Sequence, residues 1–429
     1  MIKDKIETAP REEIEKLQLR RLQDTAKRVY SLNSFYRKEF DALGLKPEDI
    51  KSLDDIKKLP FTTKKDLRSH YPFGFFTVSM DSIVRLHSSS GTTGKPTVVG
   101  YTKSDMDSWD NLMMRDYSMC GVDSRDIVHN AYGYGLFTGG LGFHSAGERI
   151  GATVVPASGG FTKRQLMLMR DFGATVLAST PSFALHLAEI AREEGENFRS
   201  GYALKVGIFG AEPTSKGLKE EVSKAWDIDY FEVYGLSEIV GPGVSCSCTH
   251  SDRLHIFEDY FLAEIIDPES GEVLPEGERG ELVLTTLKKE AMPIIRYRTG
   301  DITSLTREPC ECGGTMVRME SVVGRADDML IVNGVNVYPS QVEHIISLVD
   351  EVSLNYQIVA DKKGRLDRLE VLVEVEKEVS KDRLEEIQRE LEDEFLNSLY
   401  INTKITLLEP NTIERSLGKA VRVIDKRRV

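Results

Sequence analysis

Three stretches of this 429-residue chain hold side chains whose types and spacing suit chemistry. The first is His87-Ser88-Ser89-Ser90-Gly91-Thr92-Thr93-Gly94-Lys95-Pro96, set between the apolar-leaning runs 83–86 and 97–99. Glycines let a backbone approach an anion closely, hydroxyls donate hydrogen bonds and a lysine adds charge, so such a loop between two strands suits a polyphosphate. It is not a Walker A loop, which needs four residues between its first glycine and the Gly-Lys pair, because only two separate Gly91 from Gly94 and Pro96 forbids the helix that follows. A flexible Ser/Gly connection is the plain alternative.

In the second stretch, an apolar strand over 205–209 runs into Gly210-Ala211-Glu212-Pro213, and another over 230–233 runs into Tyr234-Gly235-Leu236-Ser237-Glu238. The latter offers an aromatic face for a base, a hydroxyl for phosphate and a carboxylate for magnesium within five residues. Asp301, after the turn glycine Gly300, is suited to accept from a pair of ribose hydroxyls, or is an ordinary solvent-facing turn carboxylate. The third is a set of cysteines: four of the five fall as Cys246-x-Cys248 and Cys310-x-Cys312, and paired spacing in a reducing compartment reads as metal rather than disulfide. Zinc needs four nitrogen or sulfur ligands, for which Cys248, His255, Cys310 and Cys312 are the first choice and Cys246 and His250 the substitutes; four free thiols are the alternative. Cys120 stands alone and reads as a buried small hydrophobe.

The elements that would position these groups follow from periodicity. Ile14, Leu17, Leu22, Ala26, Val29 and Tyr30 recur at helical spacing between residues 10 and 43, and 104–119, 162–172, 181–194 and 215–226 also read as helices. Between them 126–130, 153–156, 174–177 and 205–209 read as short strands, an alternation that implies parallel sheet with helices on both faces and ligands beyond the strands' carboxyl ends. From Glu258 the pattern turns to antiparallel strands, with Asp301 in a turn. Ser340-x-x-Glu343 predicts a capping box, followed by a hairpin over 356–375, a helix over 381–399 and a strand over 404–408, enough for a small separate α+β domain. The length implies at least two domains. A net charge of −13 argues against nucleic acid or an anionic membrane as partner, and no signal peptide or spanning segment is expected, so the reading is cytoplasmic.

Ser-Ser-Gly-Thr-Thr-Gly-Lys-Pro resembles the phosphate loop of the adenylate-forming superfamily, and the later motifs come in that family's order. With Ala131-Tyr132-Gly133-Tyr134-Gly135-Leu136-Phe137-Thr138, Ile208-Phe209-Gly210-Ala211-Glu212-Pro213 and Gly241-Pro242-Gly243-Val244, the whole chain looks like the phenylacetate-CoA ligase family. The resemblance implies an α/β adenylate-forming fold, with a large ATP- and acid-binding domain over 1–324 and a small mobile lid domain over 325–429. It implies ATP and magnesium, and coenzyme A as acyl acceptor. Ser89, Ser90, Gly91, Thr92, Thr93, Gly94 and Lys95 would surround phosphate; Gly210, Ala211, Glu212, Pro213, Tyr234, Gly235, Ser237, Asp301 and Arg325 would hold the nucleotide; and Glu238 would hold magnesium. Lys419 matches the mobile catalytic lysine, Asp327 the hinge and Gly334 the coenzyme A tunnel. Tyr132, Tyr134, Gly135, Phe137 and Phe183 are the acid-pocket candidates, with core packing as the alternative for the aromatic four. Zinc would be structural, tying the loop 246–255 to the turn 310–314. A homodimer is compatible with the family, and the sequence leaves the oligomeric state open. Rival readings are an adenylating ligase with another acid or acceptor, such as a deazaflavin-cofactor synthetase, and a catalytically silent nucleotide binder.

Overall fold

Val128, Val176, Leu177 and Ile208 are fully buried, the signature of strands covered on both faces. They lie in β3 (Ile127–Asn130), β5 (Val176–Ser179) and β6 (Val206–Phe209), which with β4 (Thr153–Val155) and the first part of β7 (Asp229–Leu236) form the parallel half of a nine-stranded sheet. The computed structural model describes residues 4–89, 96–195, 201–326, 330–332, 335–363, 366–376, 379–415 and 422–428. Within it the chain separates into two compact units.

The first unit comprises Met1–Ser179, Arg199–Ala211 and Asp229–Ser321. It opens with α1 (Arg11–Leu32), whose Ile14, Leu22, Ala26 and Val29 are buried, then α2 (Ser34–Ala42) and α3 (Lys64–Ser69), the last capped by Thr63 and Asp66. Strands β1 (Arg85–Ser88) and β2 (Val98–Tyr101) pair antiparallel on either side of the Ser/Gly stretch. α4 (Lys103–Met119) begins at a Thr102/Asp105 capping box; α5 (Gly139–Ile150) and α6 (Thr162–Asp171) follow.

The sheet turns antiparallel earlier than expected. After β7 come β8 (Gly241–Cys248) and β9 (Ser251–Ile256), because four residues between β7 and β8 leave no room for a crossover helix. The stretch 246–255, expected as a loop, is therefore the end of a hairpin. β10 (Phe261–Ile266), β11 (Gly280–Thr286) and β12 (Tyr297–Thr303) form a separate antiparallel run, while β13 (Leu305–Thr306) and β14 (Arg318–Met319) extend the large sheet beyond β9. Asp301 lies inside β12, not in a turn: Gly300 takes φ +77° opposite a register shift between Glu281 and Val283, a local bulge that aims the side chain.

The second unit comprises Thr180–Phe198, Glu212–Ile228 and Val322–Val429. It holds α7 (Pro181–Glu193), α8 (Lys216–Trp226), the short strands β15 (Gly324–Arg325), β16 (Leu330–Val332) and β17 (Val335–Val337), and α9 (Pro339–Ile346). A four-stranded sheet of order β20-β19-β18-β21 follows, made of β18 (Val352–Lys363), β19 (Leu366–Val375), β20 (Thr403–Leu408) and β21 (Val423–Asp425), with α10 (Lys381–Leu399) packed on β20. The capping box expected at Ser340 is displaced. Pro339 takes the first helical position, so the cap is Tyr338, whose N–H donates to Gln341 Oε1 at 3.0 Å; the Ser340 hydroxyl donates instead to Val323 O.

Candidate nucleotide site and cysteine cluster

The ends of the parallel strands in the first unit carry the nucleotide motifs. Gly210 and Ala211 follow β6; a Cβ at Gly210 would lie 2.3 Å from Val233 O, and Ala211 takes φ +75°, so the turn demands small residues. β7 runs on through Tyr234 and Gly235, where the register with β8 shifts. A Cβ on Gly235 would lie 1.9 Å from Gly241 O, which only glycine permits. This approach puts the motif inside the strand end rather than after it.

Tyr234 and Asp301 come together across the unit, the phenol donating to Asp301 Oδ2 at 2.6 Å, with Asp301 8% exposed. Ser237 Oγ lies 3.3 Å from Thr138 Oγ1, and Glu238, 5% exposed, has Lys64 Nζ 3.7 Å from its carboxylate. A buried carboxylate is the hard oxygen donor that magnesium takes, so the donor chemistry at Glu238 fits it, with Lys64 as the competing cation. Behind it, buried Lys289 donates to Ile239 O at 2.6 Å; burial lowers its pKa to about 8, while Asp105 and Glu238 oppose the shift. Sequence reasoning gave no role to Lys64, Thr138 or Lys289. Lys289 sits in no motif singled out from the sequence, and the fold buries it.

Ser89 flanks the phosphate stretch, its N–H donating to Thr97 O at 3.0 Å. Ser90, Gly91, Thr92, Thr93, Gly94, Lys95, Asp327, Gly334 and Lys419 lie outside the described residues. Glu212 and Pro213 belong to the second unit, where Glu212 Oε1 accepts from Ser182 N at 2.7 Å and burial pushes its carboxyl pKa up. Arg325, half-buried on β15, is in the same unit.

Of the acid-pocket candidates, Tyr132 is stacked on Phe143 at 4.9 Å between centroids, and Tyr134 accepts from Asn130 Nδ2 at 2.8 Å with its oxygen 3.1 Å from His144 Nδ1. Burial pushes the Tyr134 phenol up to about 12, so it keeps its proton. Gly135 takes φ +132° and Phe137 is half exposed, while Phe183 is buried in the second unit on the first turn of α7.

The cysteine cluster is built from β8, β9 and the turn after β13. Ligand atoms of Cys248, His255, Cys310 and Cys312 all lie within 4.8 Å of one another. Cys248 Sγ is 3.7 Å from Cys310 Sγ, and Cys312 Sγ is 3.7 Å from His255 Nε2, close to the ~3.8 Å edge of a tetrahedron with ~2.3 Å Zn–S arms. Gly314 completes the cradle, since a Cβ there would meet His255 Cε1 at 3.0 Å and Cys312 Sγ at 3.3 Å. Burial, with Arg318 nearby, lowers His255 to about 4, so the imidazole is neutral and able to ligate. These residues fit zinc. The two substitutes fall away: His250 sits exposed in the hairpin turn beside Thr249, and the buried Cys246 thiol faces Cys120 at 3.6 Å, so Cys120 is not alone either.

A parallel sheet with the nucleotide motifs at its strand ends, followed by a small α+β region, defines a class, and comparison with known families agrees. The AMP-binding enzyme family model matches residues 15–287 and the AMP-binding enzyme C-terminal domain matches 334–427; the chain belongs to the AMP-binding, adenylate-forming enzymes. Full-length relatives within that class include the phenylacetate-coenzyme A ligase of Thermus thermophilus, 45% identical over 445 residues with 100% of both chains covered. The phenylacetate-coenzyme A ligase of Escherichia coli is 45% identical over 99% of this chain and 98% of its own. Among solved structures, 2-hydroxyisobutyryl-CoA ligase in complex with R3-HIB-AMP matches with a TM-score of 0.93 and 30% identity, covering 98% of this chain and 91% of that one. Among the described residues no helix is long and apolar enough to cross a membrane.

Proposed function

We propose that this enzyme joins an aryl acid, phenylacetate before others, to coenzyme A through an acyl-adenylate, consuming ATP and giving the thioester, AMP and pyrophosphate. The observation that carries the reading is 45% identity, end to end, with phenylacetate-coenzyme A ligases. The same match disfavours a ligase that needs no coenzyme A.

The chemistry brings a carboxylate to the α-phosphate, so two anions meet and the protein must offset the developing charge. Tyr234 would lie against adenine, Asp301 would accept from the ribose hydroxyls, and Gly210, Ala211, Glu212, Pro213, Gly235 and Arg325 would complete the nucleotide cradle. Ser237 and the stretch Ser89 to Lys95 would hold phosphate oxygens. Glu238 would hold magnesium, which supplies positive charge at the phosphates. Lys419 would neutralise the attacking carboxylate's charge, Asp327 would be the hinge between half-reactions and Gly334 would line the path of coenzyme A. Tyr132, Tyr134, Gly135, Phe137 and Phe183 would bound the acid. Zinc on Cys248, His255, Cys310 and Cys312 would be structural, tying the β8–β9 hairpin to the turn at 310–314.

Mass-spectrometric product analysis over a panel of phenylacetate, its hydroxylated forms, indoleacetate, benzoate and 2-hydroxyisobutyrate, with and without coenzyme A, tests this. Phenylacetyl-CoA with AMP and pyrophosphate is expected. ADP and phosphate would overturn the adenylate mechanism, and preferred turnover of another acid would overturn the substrate.

A further inference from the structure

Within the second unit, the chain on either side of residues 416–421 is anchored on acidic side chains. On the near side, Arg415 binds Glu374 of β19 bidentately, Nη1 to Oε1 at 3.0 Å and Nη2 to Oε2 at 2.8 Å, and its Nε donates to Glu189 Oε2 of α7 at 3.3 Å. Glu374 Oε1 also accepts from Ile413 N at 2.5 Å. Glu374 is 1% exposed, and this guanidinium is paired with both of its oxygens. On the far side, Arg422 lies over the Tyr356 ring at 4.4 Å with Glu343 3.9 Å away, and its carbonyl accepts from Ile358 N at 2.7 Å where β21 joins β18.

These anchors differ in what they connect. Arg415 to Glu374 and Arg422 to Tyr356 join residues that all follow position 327 in the chain. Glu189 precedes it, and receives both the Arg415 Nε bond and one from Asn355 Nδ2 at 3.0 Å; Ser215, which also precedes it, donates its N–H to Glu343 at 3.2 Å. A rotation about position 327 keeps the first kind and must break the second.

We propose that Glu189 and Arg415 form a latch specific to the adenylating step. Arg415 is a positioning residue, four positions before Lys419 in the chain, whose own side chain is held against α7 by Glu189, and the latch opens for thioester formation. The inference rests on the roles given to Lys419 and Asp327 above. Because Nη1 and Nη2 of the guanidinium stay paired with Glu374 in either pose, opening the latch releases only the Arg415 Nε, Glu189 and Asn355 groups, which makes it reversible.

The test separates the two half-reactions in single-turnover experiments on the full chain, with pyrophosphate release from phenylacetate and ATP as one readout and thioester formation from supplied phenylacetyl-adenylate and coenzyme A as the other. Glu189→Gln keeps the shape and removes the charge; adenylation is expected to fall about tenfold, the scale of one charge-assisted hydrogen bond, while thioester formation is unchanged or faster. Asn355→Ala, which removes the neutral half of the latch, should shift both readouts in the same directions by less, and it decides the matter should Glu189→Gln not fold. Equal losses in both half-reactions, or no change in either, overturn the latch. Lys419→Ala run alongside keeps the two readings apart: if it leaves adenylation intact the role of Lys419 fails, and if it cripples adenylation while the Glu189 and Asn355 variants do nothing selective, only the latch fails.

Discussion

The β7–β8 hairpin has two ends that hold polar side chains in opposite ways. At the turn between the strands, Ser237 meets Thr138 at 3.3 Å and Glu238 meets Lys64 at 3.7 Å, long contacts that a tighter-binding group can replace. At the far end of the 8-residue β8, roughly 23 Å away at strand rise, Cys248 joins three other side chains, the four candidate ligand atoms lying within 4.8 Å of one another. The turn end is held by long pairwise contacts, whereas the far end gathers four side chains against one another.

If that division is right, each end can be disabled without touching the other. The largest effect is expected from Glu238→Gln, which should lower pyrophosphate release by roughly 10²–10³-fold, the typical cost of one preorganised electrostatic group, while metal content and melting temperature stay at wild-type values. Loss of bound metal in that variant would break the comparison. Cys310→Ser combined with Cys312→Ser should do the reverse: about one zinc per chain in the native protein disappears, the melting temperature drops by roughly 5 °C or more, and adenylation at 25 °C changes little. Native protein without zinc in elemental analysis would reduce the cluster to free thiols.

Two smaller effects sharpen it. Tyr234→Phe removes the 2.6 Å bond to Asp301; at roughly 0.5–1.5 kcal/mol for such a bond, KM for ATP should rise about three- to tenfold with kcat less affected. A KM unchanged for ATP would mean that the pair does not meet the nucleotide. Glu221 on α8 lies outside both ends of the hairpin. Burial, with Glu376 and Glu189 adding to it and Arg192 opposing, pushes its pKa up to about 7. The folded chain therefore holds this proton more tightly than the unfolded one, so the stabilisation is present below the ordinary glutamate range and is lost as pH rises through about 7. Glu221→Gln should raise the melting temperature more at pH 8 than at pH 5; an equal change at both would refute the raised pKa.

The elements were largely legible because their burial matches their periodicity: α10 falls on the expected 381–399, and Ile387, Leu391, Phe395 and Leu399 are its buried stripe. What the sequence hid was set by partners distant in the chain. Asp301 reads as a turn residue because Gly300 precedes it, yet β11 captures it into a strand; Cys246 and Cys248 look equivalent, but the register shift between them sends one to Cys120 and the other to the cluster. Cys310-x-Cys312 with the glycines after it was readable, since a ligand pair and the turn that presents it are local. Arg415 gave no signal at all, as its meaning comes from Glu189, more than two hundred residues earlier.

The strand order of the large sheet, β4-β3-β5-β6-β7-β8-β9-β14-β13, nearly follows the order of synthesis. A chain emerging from the ribosome amino end first can lay each new strand beside the one just made, so beyond the first pair no strand has to be inserted between two already joined. One edge, β4, is set early and the other is extended as the chain emerges, and the last strands to arrive, β13 and β14, flank the turn that carries Cys310 and Cys312. Nascent chains arrested after residue 256 should thus already protect β3 to β7 from proteolysis, with metal retention appearing only once residue 312 is out.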